Sequence, residues 1–127
     1  AMDDAAAYAS ERICFGRPIV SFELIQQKLA DMEIALQNTR NMLYRTLWKM
    51  DNGQSVRIDS ALLKRYAAQQ CTWVCSEALQ IYGGLGFTTE TRLGRLWLDC
   101  RGMQIAGGTD EIMVYIAGRQ IAKEYAR

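Results

Sequence analysis

From Ile25 onward the apolar positions recur at Leu29, Met32, Leu36, Thr39, Leu43 and Met50, in steps of three and four with one doubled interval through Leu47. That heptad-like spacing predicts a long amphipathic helix. The stripe stops at Asp51-Asn52-Gly53, where asparagine and glycine take the left-handed conformation that ends a helix and opens a turn. A second long helix is predicted from Asp59, a natural N-cap, with Leu63, Ala67, Cys71, Val74, Ala78 and Ile81 along one face. The small residues on that face let a neighbouring helix approach closely.

Gly83-Gly84-Leu85-Gly86 should end this helix, Thr88 to Glu90 should form a connection, and Arg92 to Met103 should be a short helical or irregular segment. Gly107-Gly108 breaks the chain again. Thr109 is then placed to cap a last helix, with Asp110 and Glu111 in its first turn and Ile112, Ile116 and Ile121 as its apolar stripe. At the other terminus, Asp3 to Glu11 reads as a short alanine-rich helix that ends near Phe15-Gly16, with Pro18 preventing its continuation. Its pattern begins abruptly, as expected of a helix cut short, and Ala1 before Met2 reads as a vector remnant. No strand-like alternation appears. The expected fold is all-α, an antiparallel up-and-down helical bundle forming one domain over residues 2–127.

Composition narrows the function. A chain of 127 residues, half of them apolar, suffices for one domain that buries roughly two thirds of its unfolded surface. A net charge of +1 with interspersed acids and bases offers no electrostatic footprint for nucleic acid or an anionic membrane. No apolar run approaches the roughly 18 to 20 residues that span a bilayer, and a cytoplasmic location is expected. Cys14, Cys71, Cys75 and Cys100 lack zinc-site spacing, so they are expected to be reduced and structural, with no metal site. The absence of histidine removes the commonest general base. Trp48, Trp73 and Trp97 are expected to pack in the core or at an interface.

Three motifs carry candidate chemistry, and local chemistry leaves two readings open for each. Arg12, in Tyr8-Ala9-Ser10-Glu11-Arg12-Ile13-Cys14-Phe15-Gly16, is placed to clamp a phosphate or to be an exposed arginine favoured at a helix C-terminus. Gln80-Ile81-Tyr82-Gly83-Gly84-Leu85-Gly86 has the bare backbone of a phosphate loop, yet a helix precedes it where nucleotide fingerprints need a strand, so it also reads as a helix terminator. Gly107-Gly108-Thr109-Asp110-Glu111 offers backbone donors and a hydroxyl to a polar ligand, or forms an ordinary capped helix start.

The order and spacing of these motifs resemble the carboxy-terminal domain of the flavin-dependent acyl-CoA dehydrogenases. The matching text is Tyr8-Ala9-x-Glu11-Arg12-x-x-Phe15-Gly16-x-Pro18-Ile19, Phe22-x-x-Ile25-Gln26-x-x-Leu29-Ala30-Asp31-Met32, Gln80-Ile81-x-Gly83-Gly84-x-Gly86-Phe87, Arg95 to Arg101, and Gly108-Thr109-Asp110-Glu111-Ile112. The resemblance implies that Arg12, Phe15, Phe22 and Glu23 approach the FAD of a neighbouring subunit, and that Gln80, Gly83 and Gly84 meet the same cofactor across a dimer interface. It implies that Thr109 and Glu111 sit near the subunit's own FAD, in a homodimer or homotetramer.

Three departures accompany it. Glu23 stands where many members have glutamine, Leu98 where an arginine commonly precedes the equivalent of Asp99, and Gly107 where many members carry the glutamate base. The chain is thus expected to hold no catalytic residue, with the base upstream as in isovaleryl-CoA-type members. Asn41-Met42-Leu43-Tyr44, the Asp51-Asn52-Gly53 turn and the Gly107-Gly108-x-Asp110-Glu111 segment look most similar to the crotonobetainyl-CoA reductase branch. The resemblance implies an acyl-CoA substrate, electron-transfer flavoprotein as redox partner, and a domain inactive alone whose apolar surface around Met42, Trp48 and Trp97 drives self-association. The alternative is a non-catalytic helical interaction module descended from such an enzyme.

Overall fold

The computed structural model describes residues 1–126. Helix α1 spans Met2–Glu11, α2 Glu23–Asp51, α3 Arg57–Tyr82, α4 Leu93–Met103 and α5 Asp110–Tyr125, with single 3-10 turns at Ile19–Ser21 and Gly83–Leu85. Helix α3 is the axis of the domain and packs against the other four helices. Side-chain pairs fix the directions. Lys49 reaches Asp59 beside the α2–α3 turn and Lys28 reaches Glu77 at the far ends, so these helices run antiparallel. Gln104 to Thr72, Cys100 to Cys75 and Trp97 to Ser76 lay α4 antiparallel along the C-terminal half of α3. Helix α5 starts beside Gln69 and Lys64 and ends beside Arg57, which covers the N-terminal half of α3 in the same sense. The result is the antiparallel all-α bundle expected from the sequence.

The core gathers Ala5 and Ala9 of α1, Ile19, Met32 and Ala35 of α2, Val74, Ala78 and Ile81 of α3, and Leu93 of α4. Alanines at the crossings let backbones approach, and the fully buried Met32 and Leu93 fill the remaining space. Cys75 Sγ lies 3.8 Å from Cys100 Sγ, and all four cysteines are free thiols. Burial, then the neighbouring Cys100, pushes the Cys75 thiol up to about 12 and raises Cys71 as well, which keeps both protonated and unreactive. Among the described residues no helix is long and apolar enough to cross a membrane.

Several local expectations change. Ile13–Cys14 and Arg17–Pro18 form a two-residue antiparallel pair where no strand was expected, because Phe15 and Gly16 both adopt positive φ (52° and 78°) and close a tight hairpin. Asp59 is not the cap of α3. The helix begins at Arg57, and Asp59 in its first turn instead binds Lys49 at 2.7 and 2.9 Å. On α5 the core contact is Ala117, and Ile112 and Ile121 stay exposed, because the helix lies close against α3 along its small-residue face. The far half of the α2 stripe is open too, with Leu43, Leu47 and Met50 exposed, because no element covers it. Trp48 is 60% exposed and outside the core, whereas Trp97 is half-buried and donates to Ser76 Oγ at 2.8 Å.

Candidate functional site

The predicted site residues fall on two separated parts of the surface. The first is the end of the bundle where α1 meets α3. Helix α1 closes at Arg12, which leaves the helix in an extended conformation and whose amide donates to the Tyr8 carbonyl. The hairpin that follows holds Phe15 in the left-handed region and leaves its side chain 97% exposed. A bulky residue in that conformation is strained, and burial does not offset the strain. The Phe15 ring meets Phe22 edge-on, 6.3 Å between centroids, and the Arg17 guanidinium sits 4.2 Å over the Phe22 ring. Among the described residues neither Arg12 nor Arg17 has an acidic partner. Glu23, exposed, opens α2 beside this cluster.

Sequence reasoning missed Arg17. The register of a hairpin, which pairs Cys14 with Arg17, is the signal that could have found it.

Gln80, Gly83 and Gly84 lie at the same end. With Ser76, Leu79 and Phe87 they line an open groove of about 500 Å³, in which Phe87 is 95% exposed. Gly83 terminates α3 at φ 61°, so the terminator reading of this motif holds. Both Gly83 and Gly84 face open space where a Cβ would stand, whereas a Cβ on Gly86 would lie 2.7 Å from the Leu79 carbonyl oxygen. Bare backbone is therefore presented at the first two glycines and used for packing at the third. Tyr8 stacks on Tyr82 at 4.1 Å, the Tyr82 hydroxyl donates to the Asp4 carbonyl, and Arg92 grips the Asp4 carboxylate with two 2.7 Å bonds. These contacts lock the Arg12 hairpin and the glycine turn into one end.

The second part is the turn before α5, which is about 18 Å along α3 from Gln80, taking the rise from Ala68. Gly107 and Gly108 both have positive φ (64° and 99°). Thr109 Oγ1 accepts from the Ile112 amide at 3.3 Å, so the residue caps α5 as its sequence predicts. The Glu111 carboxyl is held below its usual range by its own backbone amide and the Thr109 hydroxyl, and it is an ionised acceptor at neutral pH. Gly107 borders a mostly apolar cavity of about 510 Å³ with Lys64, Ala67, Ala68, Cys71, Met103 and Ala106. No carboxylate lines it.

A basic pocket of about 400 Å³, absent from the sequence reading, opens between the ends of α3 and α5. Arg57, Arg119 and Lys123 converge there with Ser55, Tyr115 and Gln120, and none of the three cations has an acidic partner among the described residues. Arg119 and Lys123, one turn apart on α5, were a visible signal. Arg57 comes from a distant segment and required the fold.

Comparison with known proteins decides the family. The model of the acyl-CoA dehydrogenase C-terminal domain matches residues 1–122. The chain belongs to the acyl-CoA dehydrogenase family. It is 51% identical over 125 residues to the probable acyl-CoA dehydrogenase YdiO of Escherichia coli strain K12, covering 98% of this chain and 33% of that protein. Among solved structures, butyryl-CoA dehydrogenase from Megasphaera elsdenii superposes with a TM-score of 0.92 at 34% identity, over 95% of this chain and 32% of that one. An FAD complex of PigA superposes with a TM-score of 0.90 at 30% identity, over 97% of this chain and 32% of that one. The chain thus spans about a third of the length of the acyl-CoA dehydrogenases it matches, and corresponds to their helical C-terminal domain.

Proposed function

We propose that this chain is the FAD-contacting and oligomerisation domain of an acyl-CoA dehydrogenase or reductase that oxidises or reduces the α,β-bond of an acyl-CoA thioester. The observation that carries the proposal is the split of the candidate residues into two surface sets. Arg12, Phe15, Phe22, Glu23, Gln80, Gly83 and Gly84 share one end, and Thr109 and Glu111 lie elsewhere. In this reading each flavin takes the first set from one subunit and the second set from its partner. That division supports a homodimer or homotetramer.

The residues fit the cofactor. Arg12 and Arg17 supply uncompensated positive charge for a pyrophosphate, Phe15 supplies an exposed ring for the adenosine, and Gly83 and Gly84 let a flat group approach backbone. Arg17 enters the site only through the hairpin. Glu111, an acceptor, suits ribityl hydroxyls and not phosphate. FAD when bound supplies the hydride chemistry. This chain's part is to hold the cofactor and to leave room at Gly107 for a carboxylate base supplied by another segment.

The basic pocket of Arg57, Arg119 and Lys123 suits the phosphates of the CoA nucleotide. It stands about 15 Å along α5 from the Thr109 cap, a span for the pantetheine arm. Electron-transfer flavoprotein is the redox partner in this reading. The alternative, a non-catalytic helical interaction module, is favoured by Glu23, Leu98 and Gly107.

Two assays test the proposal. The isolated chain should give no acyl-CoA-dependent dye reduction, whereas the full-length protein should carry flavin and reduce dye. Turnover by the isolated chain, or a flavin-free full-length protein, would contradict it. Substituting Arg119 and Lys123 by alanine should raise KM for an acyl-CoA far more than for the corresponding acyl-dephospho-CoA.

A further inference from the structure

Gly107 and Gly108 put two successive left-handed residues ahead of Thr109. Glycine gains no steric guidance from a side chain, so such a turn keeps one conformation only when something outside it holds it. The outside restraint is Lys64. Its ammonium donates to the Gly108 carbonyl, the peptide that leads into Thr109.

The same ammonium lies 4.0 Å from Asp110 Oδ1, a buried oxygen with no hydrogen-bond donor of its own. Asp110 Oδ2 accepts from Gln69 Nε2 at 2.9 Å, and the Asp110 amide donates to the Gln104 carbonyl at 3.0 Å. Gln104 Nε2 in turn donates to Thr72 Oγ1 at 2.9 Å. Helix α3 therefore grips both sides of the turn, and among the described residues Lys64 is the side chain that hydrogen-bonds the glycine backbone.

We propose that Lys64 is a positioning residue: by holding the Gly108 carbonyl and balancing Asp110, it sets the Gly107-Gly108 turn so that Thr109 and Glu111 face the flavin. The proposal rests on the functional reading above. Among the described residues Lys64 makes no hydrogen bond or ion pair with Thr109 or Glu111, so it acts through the turn.

Lys64→Met leaves Asp110 buried and uncompensated, so it lowers stability whatever else Lys64 does. The informative variant is therefore Lys64→Met combined with Asp110→Asn, which removes both charges. In this double variant Tm should return toward wild type while amide exchange of residues 108–112 in the chain stays faster than wild type. In the full-length protein it should raise the FAD dissociation constant about tenfold, the equivalent of one charge-assisted hydrogen bond. Lys64→Arg should restore most of the loss.

Wild-type FAD affinity in the double variant would overturn the proposal, as would unchanged exchange at the turn. A wild-type full-length protein that retains no FAD would contradict the functional reading, and the exchange rates would still decide whether Lys64 holds the turn.

Discussion

At the end of the bundle where α1 docks, Met32, Ala78, Ile81 and Leu93 are buried, and Tyr8 and Tyr82 stack over them. At the opposite end, around the α2–α3 turn, Leu43, Leu47 and Met50 remain exposed although the α2 stripe continues through them, and Tyr44, Trp48 and, on α3, Leu62 are exposed beside them. The same apolar spacing thus builds a core where α1 covers it and a bare face where no helix does. Contiguous apolar surface of this kind is what protein interfaces use.

The largest effect is expected at the covered end. Met32→Ala leaves a cavity among α1, α2 and α3 and should cost about 3 kcal/mol in chemical denaturation. A cost near zero would show that this end is not the core. Gly86→Ala forces a Cβ against the Leu79 carbonyl and Tyr82 Cβ, and should cost about 2 kcal/mol by the same measurement, whereas Gly84→Ala, facing open space, should cost much less.

Asp59→Asn tests the join of α2 to α3 beside the bare face. The 2.7 Å bond to Lys49 holds the Asp59 carboxyl below its usual range, so the pair stabilises the fold above that range and the contribution disappears as pH falls through the lowered value. Asp59→Asn should therefore destabilise by about 1 kcal/mol at neutral pH, with the difference from wild type closing in acid. A difference that grew in acid would have the wrong sign.

The smallest effect on stability is expected at the bare end. Trp48→Ser should change it by no more than about 0.5 kcal/mol, yet should lower self-association in light scattering. A chain that is monomeric at high micromolar concentration before the substitution would refute an interface there.

The helices were legible in the sequence because periodicity, the Asp51-Asn52-Gly53 stop and the Thr109 cap are local signals. Burial was not. Which turns of α2 and α5 are covered depends on where α1 and α3 pass, and nothing in the spacing of Ile112 or Met50 records that. The hairpin escaped notice because a phenylalanine seldom takes positive φ, and Phe15 does so between strands of two residues each. The flavin-facing candidates were legible as motifs. Their division into two sets, the Arg17 contact and the Arg57, Arg119 and Lys123 pocket required the fold, because each joins residues from distant segments.

The central claim is that the strained hairpin tip and Arg12 exist to hold a flavin, and FAD binding to the full-length protein tests it most directly. The prediction is tight FAD binding by wild type and a dissociation constant raised at least about tenfold by Arg12→Ala, with Tm of the apoprotein unchanged. Equal FAD affinity in the two proteins would contradict it.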